Sequence, residues 1–195
     1  HARQLITLAG PPRARRGSEM QRLEIVEDGA VCFEGGAISW VGPTDQLPDR
    51  RSEAYDATGK IVLPGLVDAH THPVFQSFRL DEFEQRIRGA SYMDIQKRGG
   101  GIQSTVDDVR STPELSLQCE QRFIQHGVTA IEGKSGYGLS LEHEIRILEA
   151  LQRPHTLTVV PTYLGAHALP REFRDKRQRY LENRSEEHTS ELQSR

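Results

Sequence analysis

The sequence has few of the residues that would place it in several common classes of protein. Its 195 residues include two cysteines, Cys32 and Cys119, which lie far apart and form no Cys-x-x-Cys motif. Neither a disulfide framework nor a sulfur-ligated metal site is therefore expected. No apolar run approaches the roughly 20 residues that span a membrane, and the first residues lack the pattern of a signal peptide. These features predict a cytoplasmic protein with no membrane partner.

The sequence also lacks a strong charge of one sign. It contains 25 basic and 28 acidic residues, for a formal net charge of −3, and no basic block of the kind that binds nucleic acid. The arginines at 13–16 lie among prolines and glycines and are interpreted as a solvated loop. We therefore expect a small-molecule substrate rather than nucleic acid as the partner. The chain begins at His1 rather than methionine, which suggests that its true start is missing.

The first 60 residues predict a small β domain. Two β-prone runs, at 30–33 and 37–41, flank the pair Gly35-Gly36. This pair suits a type I′ hairpin turn, because both central residues of that turn need positive φ. The polar, turn-rich residues 50–60 are interpreted as the passage from this domain into the next segment.

Residues 61–183 predict a parallel α/β structure. The apolar run from Ile61, which ends at His70 and His72, is interpreted as a buried strand. Helices are predicted at 80–88, 91–98, 112–126 and 140–152, and further strands at 128–131 and 157–160. Alternating strands and helices favour a parallel sheet, and no Gly-x-Gly-x-x-Gly motif follows the first strand to indicate a dinucleotide fold. Polar residues follow each strand instead, as is typical of barrel enzymes.

His70 and His72 are the best candidates for metal ligands. Side chains alternate along a strand, so these two imidazoles lie on one face and Thr71 on the other. A catalytic zinc-type site usually combines three protein ligands with an open position for water, so the pair makes up only part of one. Two surface histidines at a strand end are the alternative interpretation, which the buried strand before them disfavours.

Four further residues could carry chemistry, and each has a simpler alternative. The guanidinium of Arg79 suits a substrate carboxylate, although a solvated arginine is common. Tyr137 stands between two glycines and could contact a ligand or simply pack in a turn. His167 could donate to a developing oxyanion or serve as a structural histidine. Lys134 could be carboxylated and bridge two metals, a modification that nothing in the sequence indicates.

Several motifs taken together resemble the imidazolonepropionase family of the metal-dependent amidohydrolase superfamily. The resemblance covers about residues 4–183. It is carried by the motifs at residues 62–72, 73–75, 81–83, 88–92, 99–102, 104–106, 134–139 and 164–168, with Arg79. It implies a (β/α)8 barrel preceded by a composite β-sandwich, and a hydrolase that opens 4-imidazolone-5-propanoate to N-formimidoyl-L-glutamate in histidine degradation.

The resemblance also implies roles for individual residues. His70 and His72 would bind one zinc or iron ion, and Arg79, Tyr137 and His167 would hold the substrate, with Tyr92 as a further contact. The resemblance is also compatible with a homodimer of the full-length protein. The rival interpretations are another cyclic-amide hydrolase or deaminase of the superfamily, and a non-catalytic metal-binding protein.

The sequence departs from the family pattern in three respects. Gln76-Ser77 replaces a Gly-Gly pair, and Gly133 replaces an aliphatic strand residue, with an expected loss of packing. The segment 61–183 is also shorter than the roughly 250 residues of a barrel. We therefore expect part of a β-sandwich at 1–60, an incomplete barrel at 61–183, no catalytic base and no useful turnover. Residues 184–195 resemble a translated sequencing adapter and are predicted to be a non-native tail.

Overall fold

The chain folds around two separate β-sheets, each in its own unit. The computed structural model describes residues 1–48 and 53–183, and the boundary between the units falls between Gly65 and Leu66. The tail predicted at 184–195 lies outside the described residues, as do residues 50–52 of the connecting segment. None of the helices in the described ranges is long and apolar enough to cross a membrane.

The first unit contains a four-stranded sheet. Its strands are β1 (Ala2–Ile6), β2 (Ile25–Glu34), β3 (Ala37–Pro43) and β4 (Ala57–Val62), in the order β3-β2-β1-β4. The first three strands pair antiparallel, and β4 runs parallel to β1. Gly35 and Gly36 form the turn between β2 and β3 with φ of +58° and +81°, which confirms the predicted hairpin. Short 3-10 helices cover Gly17–Gln21 and Thr44–Gln46.

The single buried strand expected from Ile61 onwards is wrong, because the run divides between the two sheets. Ile61 pairs with Gln4 in the first sheet, whereas β5 (Leu66–Thr71) opens the second. Pro64 separates the two strands, and a proline has no N–H with which to continue a ladder. The expected burial is also wrong at the start of β5, where Val67 is 69% exposed.

The second unit is built on a parallel sheet in the order β5-β6-β7, with β6 at Val128–Lys134 and β7 at Thr158–Thr162. Five helices accompany it: α1 (Leu80–Ile87), α2 (Tyr92–Lys97), α3 (Ile102–Ser111), α4 (Glu120–Gln125) and α5 (Leu141–Gln152). A 3-10 helix covers Arg171–Phe173, and residues 177–183 are also helical. The α/β class is thus confirmed. Within the described residues the three-stranded sheet does not close into a barrel.

The helix predicted at 112–126 is wrong over its first half. Thr112 ends α3, a helix that the sequence did not predict, and its hydroxyl donates to the Asp108 carbonyl over 2.7 Å. The chain then runs without helix to Cys119, and the Gln118 N–H donates to the Pro73 carbonyl over 2.7 Å. Because the Gln118 N–H bonds to this distant carbonyl and not to the carbonyl four residues earlier, the stretch before Cys119 is not helical, and α4 begins only at Glu120.

The core of the second unit lies between α5, α3 and the segment that follows β5. It is a buried cluster of Val74, Val109, Leu115, Ile147, Ala150 and Leu151. The apolar residues of α5 recur at helical spacing, and the Ser140 hydroxyl accepts the His143 N–H at the N-terminus of the helix. This cluster anchors the segment that begins at Pro73, directly after the histidine pair.

Gly133 lies at the buried face of β6, where a side chain had been expected. A Cβ placed there would lie 2.6 Å from Leu151 Cδ2 and 3.2 Å from Val159 Cγ1. The space is therefore filled from α5 and β7, and the loss of packing expected at this glycine is not seen.

Substituting Gly133→Val is expected to lower the free energy of unfolding by about 2 kcal/mol, because the added methyl groups would overpack the site. Combining it with Leu151→Ala should relieve the clash, so that Gly133→Val becomes less harmful in that background than in the parent. Urea unfolding of the four proteins measures this coupling. An equal loss in both backgrounds would contradict the packing described.

Candidate metal and ligand site

The candidate residues gather at the carboxyl ends of the three parallel strands of the second unit. His70 belongs to β5 and His72 follows it directly. Tyr137 lies in the loop after β6, and His167 lies in the loop after β7. Because parallel strands end at the same edge of a sheet, three separated stretches of sequence meet there.

His72 is the centre of this group. Its ring centroid lies 4.8 Å from that of Tyr137, 4.7 Å from that of His167 and 6.0 Å from that of His70. Thr71 turns the other way, and its hydroxyl donates to the Glu132 carbonyl over 2.7 Å. The alternation predicted along the strand therefore places both histidines of the pair on the same side, against two further aromatic rings.

The environment of His72 suits a neutral nitrogen ligand. Burial, and then the neighbouring His167, lower the pKa of His72 to about 4, while a hydrogen bond with the Ser135 backbone opposes the shift. The buried Nδ1 has no hydrogen-bond partner within the described ranges. A neutral imidazole with an unpartnered nitrogen can accept a metal ion. His70 is more exposed.

The two histidines fit a metal but do not complete a site. In the part of the chain that the structure describes, no group of three or more histidine, cysteine, aspartate or glutamate side chains could hold an ion. Catalytic zinc usually has three protein ligands. The described residues therefore offer two imidazole side chains, one fewer than such a centre usually takes.

A cleft of about 450 Å³ opens beside His72. It is lined by His72, Phe75, Ser77, Phe78, Arg79, Thr105 and Tyr137. The Arg79 Nη1 atom lies 3.5 Å from Glu82 Oε2, a loose contact that leaves other donors of the guanidinium available. Burial raises the pKa of the Tyr137 phenol, against the opposing effect of Arg79. Aromatic walls with one cation suit a small ring that carries an anionic group.

Not every predicted residue reaches this cleft. Tyr92 lies on α2, is 54% exposed and is absent from the lining. The Gln76-Ser77 departure does bear on the site, since Ser77 lines the cleft and its hydroxyl donates to Asp108 of α3. A side chain thus ties down the loop that leads to Arg79.

Lys134 is held by an ion pair at the end of β6. Its Nζ lies 2.6 Å from Glu132 Oε1, which also accepts the Thr162 hydroxyl over 2.8 Å. These contacts, Lys134 first, lower the pKa of Glu132. A carboxylated lysine would bring a second negative charge against Glu132, so the arrangement favours the unmodified ammonium.

The loop after β6 approaches His167 closely, and this requires a glycine. Gly136 has φ of +108°, and a Cβ there would lie 2.8 Å from His167 Cβ. The same loop receives the buried carboxylate of Glu144 in α5, which accepts the Gly136 N–H over 2.8 Å. Sequence reasoning missed Glu144, because its partners are backbone groups; its spacing from the glycines was the only available signal.

The structure defines an α/β protein with histidines, a phenol and an arginine at the carboxyl edge of a parallel sheet. Curated relatives identify it further. The chain is 45% identical to the imidazolonepropionase of Solibacter usitatus, over 93% of this chain and 46% of that protein. It is 46% identical to that of Geobacillus thermodenitrificans, over 92% of this chain and 46% of that protein. It is 43% identical to that of Brevibacillus brevis, over 100% of this chain and 50% of that protein.

These matches confirm the resemblance carried by the motifs: along nearly its whole length the chain is a relative of the imidazolonepropionases. No family model matches it. The chain spans about half the length of the curated relatives it matches.

Proposed function

We propose that this chain contributes to the active site of a metal-dependent hydrolase that opens 4-imidazolone-5-propanoate to N-formimidoyl-L-glutamate in histidine degradation. The observation that supports this most is the contact of His72 with both Tyr137 and His167 beside a cleft that contains Arg79. The imidazolonepropionase names of the relatives support the choice of substrate. In the reaction, water adds to the ring carbonyl and the cyclic amide C–N bond breaks, leaving a carboxylate and a formimidoyl nitrogen.

His70 and His72 would hold one zinc or iron ion, which lowers the pKa of a bound water and polarises a carbonyl when present. The remaining roles would belong to side chains that line the cleft and to His167 and Tyr92, which are absent from its lining. The Arg79 guanidinium would pair with the propionate, and Tyr137 and His167 would orient the ring by hydrogen bonding. Phe75 and Phe78 would keep water from the ring. Tyr92 is proposed as a further substrate contact.

The proposal extends to the architecture and setting of the protein. Strands β5 to β7 would be the first strands of a (β/α)8 barrel, and the first unit would be part of a composite β-sandwich. We propose a cytoplasmic protein whose partner is a small molecule, with a homodimer as its assembly. The chain alone is expected to show no turnover, since two of the usual three protein ligands of a catalytic metal are described.

Replacing Arg79 by glutamine tests the function. In a full-length protein that contains this chain, Arg79→Gln is expected to raise KM for 4-imidazolone-5-propanoate at least about tenfold, because a charge-assisted bidentate contact is lost. Nuclear magnetic resonance would follow the appearance of N-formimidoyl-L-glutamate.

Arg88→Gln is the matched control, since Arg88 is exposed and pairs with Glu84 on the same stretch of chain. Its KM should be unchanged. A parent protein that fails to release N-formimidoyl-L-glutamate would refute the proposed function, whatever the variants do.

A further inference from the structure

Glu144 is fully buried and is bonded to the loop that carries Tyr137. It lies in the first turn of α5 with 0% of its surface exposed. One carboxylate oxygen accepts the Gly136 N–H over 2.8 Å. The other accepts the N–H groups of Gly138 over 2.8 Å and Leu139 over 2.6 Å. A single side chain therefore satisfies three backbone donors in a stretch of four residues.

The loop is shaped around this carboxylate. Leu139 is 1% exposed and has φ of +53°, a conformation that a leucine adopts only when its surroundings impose it. A Cβ on Gly138 would lie 2.5 Å from the Glu144 backbone nitrogen, so the loop and α5 are in direct contact. On the other side, Arg110 Nε donates to the Gly138 carbonyl over 2.7 Å. The backbone on both sides of Tyr137 is thereby held.

The position of this backbone determines where Tyr137 lies relative to the two histidines. The Tyr137 ring lies 4.8 Å from the His72 ring and 5.9 Å from the His167 ring, while Gly136 packs against His167. Glu144 itself is absent from the cleft lining, and its hydrogen bonds to the site run through the loop. Burial lowers the pKa of His167, and the charge of Glu144 opposes that larger effect.

We propose that Glu144 is a positioning residue whose carboxylate holds the 136–139 loop, and through it keeps Tyr137 against His72 and His167. This positioning role rests on the proposed function in one respect, since it treats His72, Tyr137 and His167 as a substrate site. A carboxylate suits the task because it offers acceptors alone. A glutamine keeps the size but turns an NH₂ group toward backbone donors, leaving at least one N–H without a partner.

The test uses the full 195-residue chain, with the parent, Glu144→Gln and the control Glu149→Gln, an exposed glutamate of the same helix. Amide hydrogen exchange at 136, 138 and 139 should become at least about tenfold faster in Glu144→Gln, while amides of β6 and α5 stay protected. The control should behave as the parent. Unchanged exchange at these three amides in a folded Glu144→Gln protein would overturn the proposal.

The His72 ring provides a second measurement. Tyr137→Leu should shift the His72 ring proton resonances, since the neighbouring phenol ring is removed. Glu144→Gln should reproduce most of that shift and add little to it in the double variant. Additive shifts would mean that Glu144 does not act through Tyr137. If Glu144→Gln does not fold, Glu144→Asp replaces it; its shortened carboxylate should give faster exchange at the same amides, and unchanged exchange again overturns the proposal.

Binding of imidazole-4-propanoate, a stable ring with the same acidic chain, separates this proposal from the function. If exchange and ring shifts change as expected but the parent chain does not bind this compound, the positioning role stands and the proposed ligand class fails. A second outcome is that the parent binds the compound, that Tyr137→Leu weakens this binding, and that Glu144→Gln leaves it unchanged. In that case the positioning role fails and the ligand class stands.

Discussion

Replacing Ile147 by alanine is expected to lower the free energy of unfolding by about 3 kcal/mol. Ile147 is 1% exposed and belongs to the buried cluster that joins α5 to Val74 and Leu115. Its truncation removes buried apolar surface and leaves a cavity that a close-packed cluster fills only in part. Urea unfolding followed by circular dichroism measures the change.

Ile87→Ala is the control for this prediction, because Ile87 is 70% exposed on α1. Its unfolding free energy should stay within about 0.5 kcal/mol of the parent. A loss at Ile87 as large as that at Ile147 would show that the core lies elsewhere. Since Val74 follows His72 by two residues, the Ile147 variant should also loosen the segment after the histidine pair.

Removing both histidines of the pair is expected to weaken Zn²⁺ binding by the chain at least about a hundredfold, since loss of even an outer-shell partner costs ten- to a hundredfold. At pH 7 the His72 imidazole has no proton to release, because its pKa is about 4, so the ion binds without that cost. Calorimetric titration of His70→Ala/His72→Ala with ZnCl₂ measures the loss.

His126→Ala is the matched control, since His126 is exposed after α4. It should bind Zn²⁺ as the parent does. If the double variant retained parental affinity, or if His126→Ala lost as much, the assignment of the pair as ligands would be wrong.

Local patterns predicted those parts of the fold that local forces determine. The helix at 140–152 was predicted because its apolar residues recur at helical spacing, and the structure shows that Ser140 caps it. The hairpin at Gly35-Gly36 likewise needs only its own residues. The helix at 112–126 failed because a distant contact holds its first half: the Gln118 N–H donates to the Pro73 carbonyl.

The division of the run that starts at Ile61 shows the same limit. An apolar stretch does not reveal that Ile61 pairs with Gln4 while Leu66 pairs with Val128. Pro64 was the available signal, because a proline inside an apparent strand argues against that strand.

In the site, the residues that could be predicted are those with side chains suited to catalysis or binding at the end of a strand. His72, Tyr137 and His167 each follow a strand, and the parallel sheet brings them together. Glu144 could not be predicted in this way. In the helical pattern it is one more polar position. The backbone N–H groups that it binds are present whatever the residue type, so the sequence does not mark them.

The hydrogen bonds between Glu144 and the 136–139 loop have a consequence for selectivity among anions. Glycine-rich turns with several inward N–H groups commonly bind phosphate. Here the three N–H groups at 136, 138 and 139 already donate to a carboxylate from the chain itself. These three N–H groups are therefore already hydrogen-bonded to Glu144, and the loop does not offer them to a phosphate ester. Under the proposed function, the charged group of the ligand would instead pair with the side chain of Arg79.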